Sequence, residues 1–195
     1  MSMKASFIAL VTIFIASGGL ASTNLCAHKA PISCTFIGAN KDVLVETSSR
    51  SSNNERRSLQ ARQDSNGTQP VSVCGTQCDT HCYNPDGGGP DPKDCHVIAD
   101  ALRFESENSG PTFDIPFGEN STITLSYQNC SSLFVNQEDS GVDLTYCKVE
   151  WANTIDDLAQ NCPSTEIDHG GICLGPQQDW FIQVQHGPEL RTPTN

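Results

Sequence analysis

The residues best equipped for covalent chemistry in this chain are its ten cysteines. Eight of them (Cys74, Cys78, Cys82, Cys95, Cys130, Cys147, Cys162 and Cys173) crowd into one C-terminal stretch. An even number of thiols in a short exported segment reads as a disulfide framework, here four bridges of open connectivity. The spacing Cys74-x3-Cys78-x3-Cys82 is not that of a zinc knuckle, and no second CxxC or HxxxH completes a metal site.

Acid–base chemistry would fall to the histidines. His28 lies ahead of the cysteine-rich stretch, His81 between two cysteines, His96 after Cys95, His169 before a Gly-Gly turn, and His186 after the last apolar run. Two of them meeting in space would resemble the acid–base pair of a secreted ribonuclease. No GxSxG or HExxH is present, and no spacing calls for such a pair, so a non-enzymatic protein is the expectation. Asn84, Asp86, Asp91 and Asp94 surround a triple glycine and offer the oxygens that calcium takes. The EF-hand spacing is missing, and Asp91 and Asp94 have a helix start to serve, so neither a metal nor a cofactor is expected.

Sugar recognition needs aromatic faces beside polar groups, because the apolar faces of pyranose rings stack on indole and phenol. Tyr83, Asn84, Asp86 and Trp180 are the candidate glycan-contacting residues. Trp151 fits the buried side of a helix, and Trp180 also fits the inner side of a strand. Sequons stand at Asn66, Asn120 and Asn129. Asn66 and Asn120 are the expected glycosylation sites, since Asn129 adjoins a cysteine expected to be bridged.

These groups need a scaffold. Cys82-Tyr-Asn-Pro-Asp-Gly-Gly-Gly-Pro90 is turn-forming by composition. Asp91 can cap a helix with Pro92 at its first position, and Cys95, Ile98, Ala99 and Leu102 repeat as a buried stripe. That helix is expected to end near 105–108. Ser121–Tyr127 alternates as a strand, with shorter strands at Thr112–Ile115, Leu133–Asn136 and Val142–Cys147. A second helix fits Val149–Gln160. Ile172–Leu174 and Trp180–Gln185 read as the last strands, the latter setting Trp180, Ile182 and Val184 against Phe181, Gln183 and Gln185. The expected class is α+β, with two main helices and an antiparallel sheet of about five strands.

Residues 1–21 have the layout of a secretory signal peptide: Lys4, the apolar run Phe7–Ala16, and small Gly19 and Ala21 before the cleavage point. The run is too short to span a bilayer, which takes about 20 apolar residues. Residues 22–73 are largely polar, read as a disordered propeptide or linker, and hold Arg56-Arg57, a dibasic processing motif. Cleavage there would detach Cys26 and Cys34, leaving 74–195 as the working domain. Charge divides at the same boundary: residues 1–73 carry a net +3 and residues 74–195 a net −15, or −12 overall. So acidic a domain lacks the basic footprint that nucleic acid or anionic lipid requires, and neither nucleic-acid binding nor membrane insertion is expected.

The run Cys82-Tyr-Asn-Pro-Asp-Gly-Gly-Gly-Pro-Asp-Pro-Lys-Asp-Cys-His-Val-Ile-Ala-Asp-Ala-Leu102 resembles the signature of a family of small secreted mushroom glycan-binding proteins. Phe134-Val-Asn-Gln137, Tyr146-Cys147 with Trp151-Ala152, and Gly170-Gly-Ile-Cys173 are similar to that family in the same order. The likeness spans 74–187. It implies an αβα sandwich whose subunits pair edge to edge as a homodimer. It also implies binding of N-acetylhexosamine-containing, fucosylated glycans on cell surfaces or glycoproteins, in a defensive or cytotoxic role. The resemblance assigns no individual sugar-contacting residue. From the residues alone, a small histidine-dependent hydrolase or nuclease and an extracellular effector or inhibitor of a host protein stand as alternatives. Trp180–Gln185 is the strand expected at the dimerising edge.

Overall fold

The computed structural model describes residues 33–48, 69–83, 89–117, 121–137, 141–162 and 170–187. Helix α1 (Pro92–Asn108) begins as its sequence dictates. The Asp91 carboxylate accepts the Lys93 N–H at 2.9 Å, and Pro92 sits where a missing N–H costs nothing. Cys95, Ile98, Ala99 and Leu102 are buried along one face. Helix α2 (Lys148–Gln160) buries Trp151, Ala152, Ile155, Leu158 and Ala159. Its first residue also completes α1. Lys148 Nζ donates to Ser109 Oγ and to the Gly110 carbonyl, both at 2.7 Å, placing a cation at the carbonyl end of α1. Burial lowers the Lys148 pKa below its usual value.

Among the described residues the strands are β1 (Ser33–Ile37), β2 (Val43–Ser48), β3 (Val71–Ser72), β4 (Asp79–Cys82), β5 (Thr112–Ile115), β6 (Ser121–Tyr127), β7 (Cys130–Asn136), β8 (Leu144–Cys147), β9 (Gly171–Leu174) and β10 (Trp180–His186). Seven of them form one sheet in the order β1-β2-β6-β7-β10-β9-β4, antiparallel throughout. A smaller sheet runs β3-β8-β5, with β3 parallel to β8.

Strand side chains alternate between faces, so the register sorts the large sheet into two surfaces. One row aligns Val45, Leu125, Ser132 and Val184, and the next aligns Ile123, Phe134, Ile182 and Cys173. This face meets the helices. The Trp151 indole N–H donates to Ser132 Oγ at 2.9 Å, and Phe134 lies edge-on to Trp151 with ring centroids 5.8 Å apart. Phe113, Tyr146 and Trp180 complete an aromatic cluster around Phe134. Four disulfides fasten the layers: Cys74–Cys147, Cys78–Cys173, Cys82–Cys162 and Cys95–Cys130.

The α+β class, the two helices and the four-disulfide framework agree with the sequence reading. Three expectations are corrected. The sheet has seven strands rather than about five. The two described helices pack on each other and cover the same sheet face, so among the described residues the layers are a helix pair on a sheet, not an αβα sandwich. Residues 22–73 are not disordered throughout, because β1 and β2 lie within them and extend the large sheet beside β6. Their average composition is polar, yet Val43-Leu-Val45 and Phe36-Ile37 concentrate enough apolar area in two short runs. The hairpin turn carries Gly38 at φ 92°, and a Cβ there would meet Ala101 Cβ at 3.0 Å, so glycine lets the turn rest directly on α1. The signal peptide and Arg56-Arg57 lie outside the described residues.

Candidate functional site

The opposite face of the large sheet carries a strip that mixes aromatic, amide and apolar side chains. On β10 the residues Phe181, Gln183 and Gln185 point there, since Trp180, Ile182 and Val184 are buried under the helices. Across β9 and β4, Gln183 is in register with Ile172 and His81, while Phe181 aligns with Leu174 and Asp79. On the other side, β7 places Leu133 opposite Gln183 and Val135 opposite Phe181.

Tyr83 follows β4 directly, and its N–H donates to the Gly170 carbonyl at 3.2 Å, one step beyond the last β4–β9 pair. Gly170 has φ 64°, and a Cβ there would lie 2.2 Å from the Val184 carbonyl oxygen, so no side chain can stand between Tyr83 and β10. The Tyr83 hydroxyl reaches Gln183, and Gln183 Nε2 donates to Gln185 Oε1 at 2.6 Å. Burial raises the Tyr83 pKa above 10.0, against the smaller opposing effect of the Gln183 contact. At neutral pH the phenol is therefore protonated. The result is a row of half-buried polar side chains, Tyr83, Gln183 and Gln185, with the two amides hydrogen-bonded, flanked by Ile172, Leu133 and Phe181. An amide offers both donor and acceptor, and a phenol does the same with an apolar face. Such a surface can hold a neutral polyhydroxylated ligand without any ionised group.

Of the residues singled out from sequence, Tyr83 belongs to this strip. Asn84, Asp86, Asn66 and Asn120 lie outside the described residues. Trp180 is corrected: it is 1% exposed and stacked on Phe134 at 5.5 Å, so its ring is closed to a sugar. Asp91 caps α1, its N–H donates to Asn129 Oδ1, and Asp94 Oδ2 accepts the Asn129 N–H. Both acids thus fix the loop before Cys130 to the helix start. Cys74, Cys147 and Glu150 also converge, but the two sulfurs form a disulfide and the Glu150 carboxylate accepts the Gly75 N–H.

His81 and His96 stand on different layers of the fold. His81 is on the amide-bearing face, while His96 lies on the outer side of α1, where its Nδ1 meets Asp156 Oδ1 at 2.9 Å. Arg103 joins the same group through Asp156, Asp100 and Asn153. The Asp156 hydrogen bond is the main cause that raises the His96 pKa. His81 and His96 are therefore separated by the sheet and helix layers and form no acid–base pair.

Sequence reasoning missed Gln183 and Gln185 as site residues, although the alternation of 180–185 had already set them on the side opposite Trp180. What it lacked was their partner, which the β4–β9–β10 pairing brings in. No protein-family model matches the chain, and neither does any curated protein or solved structure.

Proposed function

We propose that this protein is a secreted, non-enzymatic carbohydrate-binding protein, a lectin, and that it holds its glycan on the sheet face around Tyr83, Gln183 and Gln185. The observation that carries the reading is the Tyr83–Gln183–Gln185 row on a partly apolar floor. An N-acetylhexosamine suits it chemically: the acetamido group is itself a donor–acceptor pair that an amide complements, and its methyl group favours apolar surroundings. Fucosylation of the ligand, a defensive or cytotoxic role and a sheet-edge homodimer rest on the sequence resemblance. Pairing would multiply the avidity of a shallow single site by roughly 10²–10⁴ on a multivalent surface.

Two structural facts support the extracellular setting. Four disulfides belong to an oxidising compartment. No described helix is long and apolar enough to cross a membrane.

The dimer cannot use β10 as its edge, because that strand is paired on both sides, with β7 and β9. The test of the function is an array of immobilised glycans probed with the disulfide-bonded protein. The expected result is binding to N-acetylhexosamine-terminated structures that free sugar competes away. A blank array at high protein concentration would overturn it.

A further inference from the structure

Three of the four bridges described above keep at least one cysteine deep in the fold. Cys95 and Cys130 are both fully buried, and Cys173 and Cys162 are 0% and 3% exposed. Cys74–Cys147 differs, because both of its residues are half-buried, where the end of β8 meets the start of α2. Cys147 is the N-cap residue of α2, and while bridged its side chain caps none of the helix N–H groups.

Thiol–disulfide exchange begins when a thiolate reaches one sulfur and ends when the other leaves as a thiolate, so access and the leaving sulfur's environment together rank the bridges. Attack on half-buried Cys78 expels a Cys173 thiolate into the core, where apolar surroundings disfavour it. Attack on exposed Cys82 expels Cys162, which is buried and follows the carbonyl end of α2, where the helix dipole is negative. Attack on Cys74 expels Cys147 at the other end of the same helix, where N–H groups stabilise a thiolate. The full charge beside this bridge is that of Glu150. A Glu150 carboxylate oxygen and the two sulfurs all lie within 4.8 Å of one another. The carboxylate is held there by the Gly75 N–H, which donates to its two oxygens at 2.9 and 2.7 Å. Lys148, next in sequence to Cys147, has its ammonium committed to the end of α1.

We infer that Cys74–Cys147 is the site at which this chain exchanges with external thiols, and that Glu150 selects aminothiols over thiols that carry a carboxylate. The thiolate of a low-molecular-weight aminothiol forms a bond to Cys74 Sγ, the Cys74–Cys147 bond breaks, and its electron pair departs on Cys147 Sγ. Cys74 becomes a mixed disulfide, and Cys147 a thiolate at the N-cap position, from which a side chain accepts an N–H of the first turn. Glu150 opposes that leaving thiolate equally whichever thiol attacks. It discriminates only through the second charge on the attacker, attracting an ammonium and repelling a carboxylate. Without the bridge, β3 rests on the burial of Val73 and on the Val71 and Val73 N–H bonds to the Asp143 and Thr145 carbonyls, both 2.9 Å.

The test uses the native, disulfide-bonded chain at low ionic strength with two probes, cysteamine as the cationic thiol and mercaptoacetate as the anionic one. Freed thiols are trapped by alkylation, and both modifications are mapped by mass spectrometry after short exposure. The inference expects the first adduct on Cys74, with Cys147 alkylated. It also expects the ratio of the cysteamine rate to the mercaptoacetate rate to fall roughly three- to tenfold in Glu150→Gln, which keeps an acceptor for Gly75 and removes the charge. Comparing ratios cancels the probes' own difference in reactivity. Added salt should shrink the ratio in the parent and leave it nearly constant in the variant. A first adduct on any other cysteine, or a bridge that resists both probes under native conditions, would overturn the site. An unchanged ratio in Glu150→Gln would overturn the selection by charge. So would a ratio that falls in Glu150→Ala alone, since that variant also loses the Gly75 contact and Glu150 would then act only by anchoring the loop. Glycan binding is a separate reading, and none of these outcomes bears on it.

Discussion

The indole N–H of Trp151, near the start of α2, donates to the hydroxyl of Ser132 in the middle of β7 at 2.9 Å. Both residues are buried, Ser132 completely. The bond is the polar fastening between the helix layer and the sheet, and it lets a large aromatic be buried without stranding its one donor. Replacing Ser132 by alanine leaves that donor unpaired, at a cost of about 1–3 kcal/mol. Urea unfolding of Ser132→Ala should show a lower midpoint. In a Trp151→Phe background the same change should cost much less, because the donor is gone. Equal costs in the two backgrounds would deny the coupling.

Tyr146 is 2% exposed inside the aromatic cluster, and burial pushes its pKa up to about 12. The folded value lies above the ordinary 10.0, so the stability this phenol contributes is intact below pH 10 and is lost as pH rises toward 12. Spectrophotometric titration should show the Tyr146 phenol ionising near pH 12. Tyr146→Phe should remove that late step and flatten the alkaline fall in stability. A Tyr146 phenol that ionises near its ordinary value would contradict this.

At the other end of the pH scale, Asp156 holds the His96 imidazolium through a hydrogen bond and raises its pKa above 6.5. The stabilisation is fully present below that ordinary value and fades as pH rises through the raised one. His96 is half exposed, so the effect on stability is small, but its NMR titration is a direct readout. Asp156→Asn should move the His96 midpoint downward, and Asp100→Asn should move it less. A midpoint that does not respond to Asp156→Asn would mean that the contact does not persist in solution.

The proposed glycan surface depends on Gln183 touching both Tyr83 and Gln185. Gln183→Ala should weaken glycan binding by roughly tenfold, in line with the loss of one or two hydrogen bonds of ordinary net strength. Because the side chain is half-buried on the sheet face away from the helices, thermal unfolding should change little. Trp180→Phe, by contrast, should lower stability and leave the affinity of the remaining folded protein unchanged. An unaltered affinity in Gln183→Ala would place the sugar elsewhere.

Cys78–Cys173 closes a span of 95 residues and ties the approach to β4 onto β9. The paired Cys78→Ser, Cys173→Ser variant should lose about 2–5 kcal/mol of stability, while thiol titration of the denatured parent finds no reactive cysteine. Two or more titrating thiols in the parent would break the framework.

Local chemistry was legible in the sequence wherever a residue acts on its own neighbours. The Asp91-Pro92 helix start, the stripes Cys95–Leu102 and Trp151–Ala159, and the alternation of Ser121–Tyr127 all depend on contacts a few residues apart. So does the inward side of Trp180–Val184, and these elements stand where their periodicity put them. The cysteine count established the number of bridges, but pairing is a matter of spatial neighbours, which 74–147 and 82–162 join across the whole domain. Residues 33–48 were lost in a polar average because a short strand becomes stable only when another strand accepts its ladder, and its acceptor, β6, lies more than seventy residues away. The same reason governs the candidate site. Tyr83 could be picked out as an aromatic beside a glycine-rich turn, but only the folded sheet could give it Gln183 as a partner, by carrying β4, β9 and β10 side by side and leaving Gly170 bare between them.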